Sequence, residues 1–170
     1  MNALRRALPT LTALSALLLP AAGRALHAQA PASDSASVVA TMQRLFDGLA
    51  QRDTVLLRAV LLPGTRFVSL SADRPSSAPH TESDSAALRD IATTTERMLE
   101  RMWHPVVQVQ GRIATLRAPY DFHVDGRFSH CGIDTATLVR TDAGWRIAAL
   151  VYTVQRTGCA PSPLGPPAQR

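Results

Sequence analysis

Asp121, His123 and His130 fall within ten residues of one another. A carboxylate beside an imidazole can orient the ring and stabilise its charged form, which is what acid–base catalysis requires. Three such side chains converging could instead hold a divalent metal. No His-x-His or helical His-x3-His spacing accompanies them, so no metal or other cofactor is expected. The plainer reading is a surface hydrogen bond between Asp121 and His130. A second group, Arg117, Asp134 and Tyr152, reads as a cross-strand ion pair with a phenol beside it. Its functional alternative is a carboxylate base with an arginine that binds an anionic substrate. Cys131 and Cys159 are the two cysteines. An even count fits one disulfide in an oxidising compartment, closing a loop of about 29 residues and contributing roughly 3–4 kcal/mol. The alternative is two separate thiols.

A sheet must position these groups. Asp125-Gly126 sits between strand-type residues and suits a two-residue type I′ turn, because both positions tolerate positive φ. With Val124 opposite Arg127, Tyr120 faces Cys131, Asp121 faces His130 and Arg117 faces Asp134. A second turn, Thr141 to Gly144, with a three-residue loop, places Val139 across from Ile147 and Asp134 across from Tyr152. Period-two alternation then puts Leu116, Ala118, Tyr120, Phe122, Cys131, Ile133, Thr135, Val139, Trp145, Ile147, Ala149 and Val151 on a covered face. Thr115, Arg117, Asp121, His123, His130, Asp134, Arg146, Tyr152 and Arg156 take the outer face, with Ala136, Leu138 and Leu150 among them. One β-bulge would exchange these faces.

A cavity between the covered face and the helices would be lined by Trp103, Tyr120, Phe122, Thr135, Thr137, Phe67 and Arg66. Aromatics with a few hydroxyls suit a small, mostly apolar ligand; the plainer reading is a filled core. In this register no acid or histidine of the sheet enters the cavity.

Residues 1–30 have the pattern of a secretory signal: Arg5-Arg6, an apolar stretch from Leu8 to Leu19, and Ala28-Gln29-Ala30 as a cleavage site after Ala28 or Ala30. The stretch is too short and too broken by Pro9 and Pro20 for stable membrane insertion. Residues 31–37 read as a linker, with Asp34, Ser35 and Ser37 as candidate N-caps. One domain follows over 38–159. A helix carries Val38, Met42, Leu45 and Phe46. A second is capped by Asp53 and stopped by Pro63-Gly64. A strand covers Arg66 to Leu70, and Ser71 to His80 is a loop. A helix opened by Thr81-Glu82-Ser83-Asp84 runs to about Arg101, and a strand covers Val106 to Val109. Residues 160–170, with four prolines, read as a disordered tail.

All 18 basic residues are arginine, and the net charge is +5. Arg5, Arg6 and Arg24 lie in the leader, which has no acid, so the remainder carries +2 (5 − 3). No basic run interleaved with aromatics occurs, and nucleic acid is not an expected partner. The site and compartment imply a periplasmic or secreted protein.

Gly144-Trp145-Arg146-Ile147 resembles the opening of the last strand in SnoaL-like proteins, and Phe46 to Pro63 resembles their first two helices. Ala118-Pro119-Tyr120-Asp121-Phe122 with Phe128-Ser129-His130-Cys131-Gly132 resembles an exported bacterial branch named lumazine-binding or nuclear transport factor 2 (NTF2) family. The resemblance to the NTF2-like superfamily covers about Val38 to Gly158. It implies an α+β, cystatin-like cone: a curled antiparallel sheet packed on one long and two shorter helices. The fold hosts enzymes, binders and assembly modules, so it selects no function. In ketosteroid isomerases and SnoaL-like enzymes an acid or histidine projects into the cone, but none of their catalytic residues maps onto this register. The first expectation is therefore an exported domain that binds a small apolar molecule, pairs with itself through the outer sheet face, or both. The alternative is an isomerase, cyclase or dehydratase using Asp121, His123 or His130 for proton transfer.

Overall fold

The structure, a computed structural model, describes residues 33–167. The expected signal sequence and its cleavage site lie outside the described residues. Helix α1 (Asp34–Gln51) is capped by Ser33, whose hydroxyl accepts from the Ala36 N–H at 3.2 Å. It therefore begins a turn earlier than the expected linker allows: Ser33 supplies the cap and Asp34 the first-turn acid that favours the helix dipole. Val38, Met42, Leu45 and Phe46 form its buried stripe. Asp53 caps α2 (Thr54–Val60) as expected, accepting from the N–H groups of Val55 and Leu56. The two helices meet at Gly48, where a Cβ would stand 2.9 Å from the Leu57 side chain.

Strand β1 (Leu61–Ser71) follows directly, with Pro63-Gly64 as an irregularity inside it. After β2 (His80–Ser83), helix α3 (Asp84–Thr93) is capped by Ser83 and ends well before Arg101. Thr93-Thr94-Thr95 is a β-branched run that disfavours helix. The next residues form β3 (Met98–Met102), which finds its hydrogen bonds along β5 (Ile113–Val124). Strands β4 (Val106–Gln110), β6 (Arg127–Thr141) and β7 (Gly144–Val154) complete a curled, unclosed seven-stranded sheet. The order is β2-β1-β7-β6-β5-β3, with β4 also on β5. The sheet is mixed, not wholly antiparallel, because β1 pairs with β7 in parallel. The long helix is the first of the three.

Two bulges decide which side chains point inward. Asp125 and Gly126 have φ of 50° and 76°, the expected type I′ turn. Val124 faces Arg127 and His123 faces Phe128, but Phe122 then faces His130. Ser129 is one residue too many, and from His130 onward β6 is turned over. Asp134, Ala136 and Leu138 are buried, while Thr135 is exposed. Asp121 therefore faces Cys131, and Arg117 faces Thr135. In β7, Leu138 faces Ile147 and Thr137 faces Ala149, so Ala148 is the extra residue and Leu150 turns inward. Asp134 faces Tyr152, as expected. Arg117 lies on the other face from both, so the anticipated Arg117/Asp134/Tyr152 cluster does not form.

The three helices cover the inner face over a core that includes Met42, Leu57, Leu116, Leu138 and Ile147. Each such side chain contributes roughly 1.5–3 kcal/mol. Cys131 and Cys159 are disulfide-bonded. Beyond them, residues 160–167, expected as a disordered tail, have a defined course. Gly165 N–H donates to the Ser162 carbonyl, and the segment lies beside Arg101, Asp121 and His123.

Gly132 is the tightest point of the sheet. The Tyr120 phenol crosses over it to donate to the Thr153 carbonyl at 2.8 Å. A Cβ at Gly132 would lie 1.9 Å from that carbonyl oxygen and 2.7 Å from the Tyr120 ring. Gly132→Ala is expected to cost about 3 kcal/mol by displacing the ring, read as a lowered urea midpoint. A variant as stable as the parent would contradict this packing.

Candidate functional site

Between the helices and the sheet lies a cavity of about 330 Å³. Leu45 and Leu49 of α1, Leu57 of α2, and Leu88 and Ile91 of α3 form its apolar wall. Opposite them the sheet presents a polar floor, placed there by the Ser129 and Ala148 bulges. Across β3, β5 and β6, Glu100 faces Phe122 and Phe122 faces His130. The Phe122 and His130 rings stack with centroids 4.8 Å apart. Beyond the Tyr120–Gly132 pair, a further row of Ala118, Asp134 and Tyr152 runs across β5, β6 and β7. Ala118 is small, which leaves room beside Asp134.

Asp134 is 1% exposed, and neither of its carboxyl oxygens receives a hydrogen bond among the described residues. Its polar neighbour is the Glu100 carboxyl, within reach to share a proton. Burial pushes Asp134 up to about 7. Burial, and then the charge of Asp134, hold Glu100 well above the usual carboxylate range. Two carboxyls this close cannot both ionise cheaply, so one keeps a proton for the other. His130 is pushed down to about 4, first by burial and then by Arg156, so its ring is neutral at pH 7. Its Nδ1 lies 3.1 Å from the Ser129 hydroxyl. Burial raises both the Tyr120 and Tyr152 phenols, which stay protonated. A buried carboxyl with no donor destabilises a fold. Ionisable groups perturbed by burial and by one another recur at functional sites and in structural networks alike.

Of the expected lining residues, Tyr120, Phe122 and Phe67 face this cavity; Trp103, Thr135, Thr137 and Arg66 do not. Of the expected acid–base residues, only His130 faces it. Asp121 and His123 lie on the other face of β5. Asp121 is 3% exposed and held by Arg101 through two bonds, Nε to Oδ1 at 2.9 Å and NH2 to Oδ2 at 2.5 Å. His123 Nδ1 stands 3.8 Å from Asp121 Oδ1, and burial lowers its pKa. That trio reads as a buried ion pair with a neutral histidine packed edge-on to Phe128. Among the described residues no group of three His, Cys, Asp or Glu is arranged to hold a metal.

The expectation of a cavity without sheet acids is corrected by Asp134 and Glu100. Glu100 was hidden inside an expected helix, yet Met98-Leu99-Glu100-Arg101-Met102 alternates like a strand. Asp134 was placed outside by a register one residue off. The signal was Ala136, Leu138 and Leu150, three apolar residues stranded on a face meant to be wet.

No family model matches this chain, and no curated protein matches it. Solved structures match its fold. An NTF2-like superfamily protein of Salmonella enterica superimposes with a TM-score of 0.58 at 15% identity, over 76% of this chain and 96% of that one. An NTF2-like protein with a cystatin-like fold from Novosphingobium aromaticivorans gives 0.58 at 19%, over 75% and 84%. An NTF2-like family protein from Streptomyces avermitilis, provisionally named a dehydratase, gives 0.56 at 17%, over 71% and 95%. The chain has the NTF2-like, cystatin-like fold, and at these identities the likeness is one of fold alone.

The two inward ionisable sets oppose each other with pH. Asp134 titrates near 7 when folded and near 3.8 ordinarily. Its stabilising contribution is complete below about pH 4 and is lost as pH rises to 7; Glu100 acts in the same sense. His130 titrates near 4 when folded and near 6.5 ordinarily, so its contribution is complete above 6.5 and lost as pH falls to 4. The double variant Glu100→Gln/Asp134→Asn should melt at lower temperature at pH 5 than at pH 7. His130→Gln should do the reverse. Melting curves that shift in the same direction in both variants would contradict the assignment.

Proposed function

We propose that this protein binds a small, mostly apolar molecule in the cone cavity and moves a proton on it through Asp134 and Glu100. The supporting observation is the buried, donorless Asp134 facing Glu100 inside an otherwise leucine-walled space. Burial raises both carboxyls and the charge of one holds the proton on the other, so the ionised member of the pair is the base and the protonated member the acid. Isomerisation and dehydration both need such a pair, because each removes a proton at one atom and delivers one at another. The neutral His130, stacked on Phe122, positions the bound molecule beside the pair. Apolar walls exclude water and keep the carboxyls' affinity for protons high.

A panel of ketones and aldehydes with exchangeable α-hydrogens, incubated with the protein in deuterium oxide and followed by NMR, reads this directly. Exchange should appear for at least one small apolar member, rise with an inflection near pH 7 as Asp134 ionises, and fall roughly 100-fold or more in Asp134→Asn. Exchange that survives Asp134→Asn at the parental rate would refute the assignment.

We further propose that the protein is exported and works as a homodimer. The Cys131–Cys159 bond suits an oxidising compartment, and among the described residues no helix is long and apolar enough to cross a membrane. Val106, Ile113 and Val151 are exposed at 60%, 58% and 40% on the outer sheet face, Val106 and Val151 at the two ends of the row Val106–Arg117–Thr135–Val151, and this face would pair two copies. Native mass spectrometry of the protein recovered outside the cytoplasm should show a chain beginning at Gln29 or Pro31, and twice its mass. A full-length, monomeric species would overturn both statements.

A further inference from the structure

The charge of the cavity is lopsided. Glu82 of β2, Asp90 of α3, Glu100 of β3 and Asp134 of β6 all line it. Against these four carboxyls stands one guanidinium, Arg156, just past β7. Among the described residues none of the four acids is paired with Arg156 or with any other cation, and the ion pairs that do form lie elsewhere; Asp134 and Glu100 share a proton with each other alone. The remaining titratable groups facing this space are His130, neutral at pH 7, and the two protonated phenols. The Tyr120 hydroxyl hydrogen is already committed to the Thr153 carbonyl. Carboxylate acceptors outnumber cationic donors in this cavity four to one, and no cation reaches the buried oxygens of Asp134 among the described residues.

We propose that the occupant carries a basic nitrogen, an amine or imine on a small apolar body, held in its protonated form between Asp134 and Glu100. This rests on the reading that the cavity binds a small apolar molecule, and it names the class. A protonated amine brings up to three N–H donors, enough for both orphan oxygens of Asp134 and one of Glu100, in charge-assisted bonds. The faces of Tyr120, Phe122 and Tyr152 attract a cation, and the leucine wall takes the apolar body. A carboxylate ligand meets four acids and one arginine. A carbonyl compound without an amine can accept the proton held between the two carboxyls but brings no N–H donor of its own. The proton count closes either way: a free base takes the proton shared by the two carboxyls, whereas an ammonium ion entering from solvent displaces that proton into solvent.

Three probes with one apolar body separate these cases: 2-phenylethylamine, 2-phenylethanol and phenylacetate, titrated calorimetrically into the full chain at pH 6. The amine should bind at least tenfold tighter than the alcohol, with phenylacetate weakest. Its apparent heat should change between buffers of different ionisation enthalpy, because a proton is released. Asp134→Asn should remove the advantage of the amine over the alcohol. The proton release in the parent protein is an independent readout should the variant fold poorly. Equal binding of amine and alcohol, or tightest binding of phenylacetate, would overturn the inference while leaving the small-molecule cavity standing. No binding by any of the three would overturn both.

Discussion

One extra residue in β6 governs the chemistry of this molecule. Ser129 has no partner of its own on β5, and a sheet has only two faces. Every side chain beyond the bulge is therefore reassigned at once. Without it, Asp134 would sit in water and Cys131 would point at the helices. With it, a carboxyl enters an apolar chamber, and the cysteine is left outside to bond Cys159. The same half-turn brings His130 onto the face of Phe122. Gly132 falls where the Tyr120 ring must cross. Within β6 these placements are the single outcome of a register, and Glu100 joins them from β3.

That outcome is costly, and the cost locates the function. A buried acid with a second acid for its neighbour gains nothing for the fold that Asn or Leu would not supply more cheaply. Contrast Asp121, equally buried, whose charge is met by Arg101 through two bonds. One sheet carries both solutions back to back. The outer one is settled and inert; the inner one is left unbalanced toward the chamber. The difference between them, more than the depth of the cavity, sets a carboxyl whose charge is matched apart from one whose charge is not.

What could be read from the residues alone follows how local each signal is. Asp53 as a cap, Asp125-Gly126 as a mirror-image turn, and the Gly144-Trp145 strand opening each depend on a few adjacent residues, and each appears as expected. The general architecture survives because it tolerates errors of a residue or two. The site does not tolerate them. Ser129 and Ala148 are ordinary strand residues that advertise no irregularity, and each displaces half a strand. The third helix ended early for a comparable reason: its apolar stripe continues in period through Thr95 and Met98, but β5 offered that stretch an edge, and tertiary pairing outweighed a helical pattern weakened by three threonines. Asp121 and His123 drew attention because acids near histidines are conspicuous. Asp134 and Glu100, far apart in sequence and with no histidine beside either, became a pair only in space.

The parallel docking of β1 on β7 carries a temporal implication. Leu61 lies against Ile147, and Ser71 against Val154, so one of the first strands of the domain completes its inner edge against the last. Until that final strand arrives, β6 lacks its second neighbour, Asp134 has no Tyr152 across from it, and the Tyr120 hydroxyl has no carbonyl to reach. In a chain growing from its amino end, β3, β5 and β6 can pair and bring Glu100 and Asp134 to one face before β7 is made, but the chamber closes only when β7 joins β6 to β1.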